Sequence, residues 1–532
     1  MSQLSHRVVL WIAAVALAWG VFARVYRLSE RPFWRDEACV ADAVTRLSWT
    51  ELPGQSALPA PPLFVLAAKA TGAVAAPAEV GLRLLPLFSG VLLLPLVYAI
   101  ARRLRAPRTV ALAGMILCST GLMLVIWSRE LRQYEVEAML SAGLALSVFH
   151  IRRRERASWA VAITAVSVLL IGPWLGYGFV FPAATLALML AVLSPVAGRR
   201  RLSLLIGISG LAVLAVSTLA VLHVAAADQA ANAALSSYLG NWFIHPLVLH
   251  DWLRAGASGA MSTFMMFFPL QWGRQVAVSG VVAAVIWAIA LLGLATWPRQ
   301  GRRDMVCWTV GPWVLMLLAA VAHRYPFAVP RMMVCFAPAM SLAVAAGLVQ
   351  VCRACSLVIA KRTGPGMVLS LVLAFVPVVY VVNVPLRQAY WAFHDFPSAL
   401  RLLRQHRRAG ETVVVTTNAV AAVRYYARGD DERYCYYPVT AGTLPVPGHD
   451  YEAMARDLIA RAGRRWWLLT TSERDGSRAP LLRMLRRGGY PCRLVAPDED
   501  PASFGAARLL VVSRDAEDLP RVGLEHPPPD GE

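Results

Sequence analysis

Apolar residues fill most of the first 385 positions in blocks of about 15–25, and short arginine clusters separate the blocks. Helices of about 20 such residues cross the hydrocarbon core of a bilayer. The pattern predicts eleven spans, at residues 8–23, 81–100, 110–127, 137–150, 159–172, 175–196, 202–224, 276–297, 305–322, 331–351 and 367–385. With the N-terminus inside, the inner segments hold 18 basic residues against two acidic ones, while the outer loops before residue 387 hold 13 against 11. Positive charge gathers on the cytoplasmic side of membrane proteins, so the charges support this count. Counting the apolar stretch 60–75 as a further span would invert every later loop. That stretch is short and contains Lys69, and it predicts a helix lying on or dipping into the outer leaflet. The first run is followed by no small-residue cleavage site, so a retained span is expected there.

These readings define a polytopic α-helical membrane domain over residues 1–386. Two long outer loops interrupt it. One, 24–80, is broken by Pro32, Pro53, Pro59, Pro61 and Pro62; the other, 225–275, is rich in aromatics. Loops this long are usually functional. From about 387 the pattern changes. Residues 411–417, 466–471 and 507–513 read as strands, and 451–462 and 479–488 have helical spacing. Strand–helix alternation predicts a soluble α/β domain over 387–525 with a largely parallel sheet. It follows an odd number of spans, so it is expected outside, ahead of a disordered tail at 526–532. No glycine-rich phosphate loop opens its helices.

At 58% hydrophobic and 16% charged, the composition excludes an ordinary soluble enzyme, in which about 25% of residues are charged. The net charge of +20 does not point to nucleic acid. Residues 1–386 hold 31 basic against 13 acidic residues, residues 387–532 hold 21 against 19, and the excess is the orientation signal of the spans. Of eight cysteines, Cys352 and Cys355 form a lone CxxC without the second pair a zinc site wants. Cys435 and Cys492 are free to pair if their domain meets an oxidising compartment. His245, His250 and Asp251 do not align on a helix face, so no metal site is expected.

Ionisable residues gather at the outer ends of the spans in four places. Phe33-Trp34-Arg35-Asp36-Glu37-Ala38 follows the first span. Adjacent carboxylates beside an apolar surface suit general-base or metal-ligand chemistry; on spacing alone, an interfacial anchor of Trp, Arg and acids is the favoured reading. Arg129 and Arg132 can share a helix face and clamp a phosphate, or form a salt-bridged turn with Glu130, Glu135 and Glu137. Arg324 and Arg331 flank the start of a late span, as anion ligands or as snorkelling charges. Arg83 opens the second span. Together the clusters suit an anionic, lipid-borne substrate at the membrane interface.

Trp34-x-Asp36-Glu37-Ala38, Pro61-Pro62-Leu63, Arg83-Leu84-x-Pro86 and Arg129-x-x-Arg132-x-Tyr134, in this order, resemble the integral-membrane glycosyltransferases of the GT-C fold. The resemblance points to the family 39-like branch of protein O-mannosyltransferases and lipid A aminoarabinose or galacturonic acid transferases. It implies a polyprenyl-phosphate sugar donor, an active site in the first outer loop, and a lipid, glycan or protein acceptor, in the cytoplasmic membrane. By resemblance Asp36 is the general base of an inverting displacement and Glu37 orients it. Arg83, Arg132 and Arg331 then stabilise the leaving phosphate with support from Tyr134; Arg129 and Arg324 remain candidates from their position. The family has members with and without a divalent metal, and no other cofactor is implied. Ala60 stands where many members have His before the Pro-Pro pair. A lipid-linked sugar transporter or flippase, or a non-catalytic envelope scaffold, is the competing class.

Overall fold

The computed structural model describes residues 6–54, 60–75, 77–153, 159–193, 200–225, 243–267, 276–327, 329–359, 396–428, 434–437, 453, 456–457, 459–460, 465–471, 485, 487–490, 492–494 and 507–513. The eleventh expected span, the tail and most of the two expected helices at 451–462 and 479–488 lie outside the described residues.

The apolar blocks form helices. In chain order these are α1 (His6–Val25), α2 (Arg35–Arg46), α3 (Pro62–Gly72), α4 (Ala78–Arg103), α5 (Arg108–Thr120), α6 (Leu122–Ser128), α7 (Tyr134–Arg153), α8 (Trp159–Leu175), α9 (Val180–Val192), α10 (Arg200–Ala225), α11 (Leu249–Phe267), α12 (Val276–Thr296), α13 (Arg299–Val321) and α14 (Ala337–Ile359). Among the described residues, five helical segments are long and apolar enough to cross a membrane: Arg7–Glu30, Ala78–Arg103, Ser203–Val224, Gly301–Val321 and Arg331–Ala354.

Three differences from the expected pattern have local causes. The span at 110–127 breaks at Gly121, whose ψ of 116° ends α5. Carbonyls freed by a break inside an apolar bundle need donors. The fully buried Arg24 supplies them, with Nη1 3.3 Å from the Ser119 carbonyl and Nη2 3.1 Å from that of Cys118. Residues 60–75 contain α3, which packs on α2 and α4 with Phe64, Val65 and Ala68 buried. Lys69 Nζ donates 2.7 Å bonds to the carbonyls of Val44 and Leu47 at the end of α2, where a cation offsets the helix dipole. The second long loop carries α11, with Asp251 in its first turn accepting the His245 N–H at 3.0 Å. His250 is exposed, with Nδ1 3.9 Å from Asp251.

Beyond residue 395 come α15 (Phe396–His406), β1 (Thr412–Thr416), α16 (Thr417–Tyr426), β2 (Tyr434–Tyr437), β3 (Arg465–Thr471), β4 (Cys492–Leu494) and β5 (Ala507–Ser513). The sheet order is β2-β1-β3-β5-β4. β1 runs parallel to β2 and β3, but β5 runs antiparallel to β3 and β4, so the sheet is mixed rather than largely parallel. Cys435 and Cys492 lie on the opposite edge strands. Four strand spacings, about 19 Å, separate the edges, well beyond the reach of a disulfide.

Two hydrophobic cores organise the molecule. One lies among the helices from α1 to α14. The other joins the first loop to the sheet: Phe33, Ala41, Val44 and Phe64 share it with Ala422, Val423, Trp467, Leu469 and Val511.

Helices α12 and α14 cross with their backbones in near contact. A Cβ on Gly293 would lie 1.9 Å from the Ala343 carbonyl oxygen, and one on Gly347 would lie 1.8 Å from that of Ile289. Gly347→Ala is expected to cost about 1–3 kcal/mol and lower the thermal midpoint of the detergent-solubilised chain. Gly143→Ala, inside α7 where the added carbon meets nothing within 4 Å, should leave it unchanged or raise it, because alanine favours a helix over glycine.

Candidate active site at the first loop

The site is built on the N-terminus of α2. Pro32, Phe33 and Trp34 lead into the helix, and Asp36 and Glu37 fall in its first turn, where helix dipoles favour acids. Glu37 closes the turn by accepting the Trp34 N–H at 3.4 Å.

The two adjacent acids do different things. Glu37 is fully buried and locked. Arg83 of α4 donates to it from Nε at 2.8 Å and Nη2 at 2.9 Å, and the Leu131 N–H donates at 2.6 Å. The other Arg83 bonds go to the carbonyls of Leu28 (3.5 Å), Arg31 (2.7 Å) and Pro32 (3.2 Å). Its guanidinium also lies 4.5 Å from the Phe33 ring centroid. With all five donors used and no exposed surface, Arg83 has nothing left for a phosphate. Its place differs from the sequence expectation because a buried carboxylate claims it.

Asp36 faces the other way, toward cations. Its Oδ2 is 3.1 Å from Arg331 Nη1 and 3.4 Å from Arg132 Nη2, and its Oδ1 is 3.4 Å from Arg35 Nε. Arg331 comes from the 3₁₀ segment Pro330–Phe336 that leads into α14. Arg132 comes from the turn between α6 and α7. Its Nη2 donates to Tyr134 Oη at 3.3 Å, and its guanidinium sits 5.5 Å from that ring. Arg132 is 2% exposed, and its Nε and Nη1 are buried with no hydrogen-bond partner among the described residues. Buried charged donors left unpaired are costly, and an anion is the chemical group that would satisfy them.

The structure thus brings Asp36, Arg132, Tyr134 and Arg331 together, with Glu37 and Arg83 behind them. Arg129 turns away, its Nη2 donating to the Tyr26 carbonyl at 2.7 Å. Arg324 is exposed on the turn after α13. Sequence reasoning missed Arg31, Arg35 and the structural use of Glu130. Glu130 accepts from Arg31 and, at 3.1 Å, from Trp34 Nε1. Burial pushes its carboxyl up while the Arg31 guanidinium pulls it down. The adjacent Cys39 thiol is pushed up to about 12 by burial, so it is inert. Among the described residues, no three His, Cys, Asp or Glu side chains converge on a metal position.

Lysine cannot reproduce the five-donor fork of arginine. Arg83→Lys is expected to lower the thermal midpoint and the folded yield, by an amount approaching the roughly 3–5 kcal/mol that follows breaking a buried pair. Size-exclusion profiles with a thermal melt check it; a wild-type melt would remove Arg83 as the clamp.

No family model matches the sequence, and no curated protein matches it. Solved structures do match. ArnT from Cupriavidus metallidurans in the apo state aligns over 96% of this chain and 98% of its own, with a TM-score of 0.53 at 12% identity. The same protein bound to undecaprenyl phosphate aligns over 97% and 99%, with a TM-score of 0.52 at 13% identity. The Archaeoglobus fulgidus oligosaccharyltransferase in complex with Zn and sulfate aligns over 93% and 73%, with a TM-score of 0.51 at 12% identity. Both are GT-C proteins, and this chain shares their fold.

Proposed function

We propose that the chain is a membrane glycosyltransferase that moves a sugar from a polyprenyl-phosphate donor to an acceptor at the outer face of the cytoplasmic membrane. The observation that carries the reading is the meeting of Asp36 with Arg132 and Arg331 beside spare, buried guanidinium donors. The shared fold with an enzyme solved with undecaprenyl phosphate supports the lipid-phosphate half of it. The opposite end of the helices supports this side of the membrane. There Arg152 and Arg153 pair with Asp304 at 2.9 and 3.1 Å among the arginine clusters that mark a cytoplasmic face.

In this reading Asp36 accepts the proton of an acceptor hydroxyl or amine as that atom attacks the anomeric carbon. The new bond forms as the bond from that carbon to the phosphate oxygen breaks, and the anomeric centre inverts. Arg132 and Arg331 hold the departing phosphate, whose charge grows as the bond breaks. Arg132 can bind it through an N–H of Nε or Nη1 that no described residue takes, while Nη2 stays on Asp36. Tyr134 holds the Arg132 plane, and Glu37 with Arg83 holds the backbone that carries Asp36. A divalent ion has no ligand set among the described residues, and the charge balance here rests on the arginines.

Asp36→Asn should lower transfer about 10²- to 10⁴-fold without loss of folded protein. The check is mass spectrometry of envelope glycans and glycolipids from cells carrying either form or neither. The sugar missing without the gene names the donor, and product at wild-type level from Asp36→Asn would remove Asp36 as the base. Arg132→Gln is expected to weaken binding of undecaprenyl phosphate about 10- to 100-fold, the worth of a charged hydrogen bond, measured on purified protein.

A further inference from the structure

We infer that the C-terminal sheet unit is the mount of the catalytic helix, and that Tyr426 is a positioning residue acting through Phe33. The inference rests on the proposed role of Asp36 and assigns to that site a support on the far side of the sequence.

Helix α2 is only 12 residues long and lies outside the bundle of long helices, so its orientation must be set by what it packs on. It packs on α3 and on α16, and all three share one core with the sheet. The contact is polar at both ends of α2. At the N-terminal end, the Phe33 N–H, three residues before Asp36, donates to Tyr426 Oη at 2.7 Å. The Phe33 ring, fully buried, meets Tyr425 edge-on at 5.2 Å on one side and the Arg83 guanidinium on the other. Tyr426 therefore continues a chain of contacts through Phe33 to Arg83, Glu37 and the first turn of α2. At the C-terminal end, Arg428 Nη2 bonds Thr45 Oγ1 and, at 3.3 Å, the Asp42 carbonyl, and it lies 3.6 Å from the Asp42 carboxylate.

A helix held at two points cannot roll. The side chains of α2 project about 5 Å from its axis, so a roll of about 20° would swing the Asp36 carboxylate by roughly 2 Å, away from Arg132 and Arg331. Misplacement of about 1 Å costs about 10²-fold in rate. Arg132 and Arg331 sit on other elements and reach Asp36 from across the site. Loss of Tyr426 should therefore impair catalysis and spare phosphate binding.

The test uses the full chain in detergent and in cells, with Tyr426→Phe and, at the more exposed end, Arg428→Gln. Amide hydrogen exchange across residues 31–38 should rise about tenfold in Tyr426→Phe, since the Phe33 amide loses its acceptor. Product by mass spectrometry should fall tenfold or more in Tyr426→Phe and by a smaller factor in Arg428→Gln. Binding of undecaprenyl phosphate should stay within twofold in both. Exchange at the wild-type rate in Tyr426→Phe overturns the inference whatever the activity. So does undiminished product from both variants in a background where Asp36→Asn abolishes it, or a tenfold loss of undecaprenyl phosphate binding alongside the loss of product. Wild-type product from Asp36→Asn strikes instead at the proposed function, and the exchange result still decides whether Tyr426 mounts the helix.

Discussion

The buried pair of Arg83 and Glu37 is the constraint on which the site depends. Two charges without access to water are tolerable only when every donor and acceptor is used. Here the guanidinium gathers the carbonyls of Leu28, Arg31 and Pro32 as well as the carboxylate. The chain leaving α1 is thereby folded around one side chain of α4, and α2 starts in a defined direction. Asp36 is the neighbour of the locked carboxylate. Successive helix positions point about 100° apart, so fixing Glu37 inward turns Asp36 toward the turn that carries Arg132.

A division of labour among like residues follows. Arg24 and Arg83 are fully buried and spend their donors on the protein, one at a broken helix and one at the loop. Arg132 keeps two buried nitrogens, Nε and Nη1, without a partner among the described residues. Arginine suits both tasks because its fork makes several directed bonds and stays charged. What separates the tasks is how many acceptors the surrounding backbone offers.

Much of this was legible in the order of residues. The helical blocks, the acidic pair after α1 and the strands β1, β3 and β5 are local patterns of hydropathy and spacing. Arg132, Tyr134 and Arg331 were visible because polar groups at the ends of apolar runs stand out. The role of Arg83 was not, since its partner lies 46 residues away and a boundary arginine looks the same whether it faces lipid, phosphate or carboxylate. Glu130 reads as a neutraliser of its neighbours Arg129 and Arg132, yet it serves Arg31 and Trp34. Helices α15 and α16 and the edge strands β2 and β4 are short, and their faces make sense only against the core they complete. The reversed direction of β5 has no local signature, because alternation along a strand is blind to its polarity.

That reversed strand has a consequence for biosynthesis. β5 lies inside the sheet, between β3 and β4, and its Leu509 and Val511 enter the core shared with α2. The membrane helices can be inserted one after another as the ribosome delivers them. The face against which α2 is seated waits for a segment made some 470 residues later, so Asp36 is held against the arginines only once β5 has been made. A chain that stops before β5 would therefore be a membrane protein whose first-loop carboxylates are not yet seated.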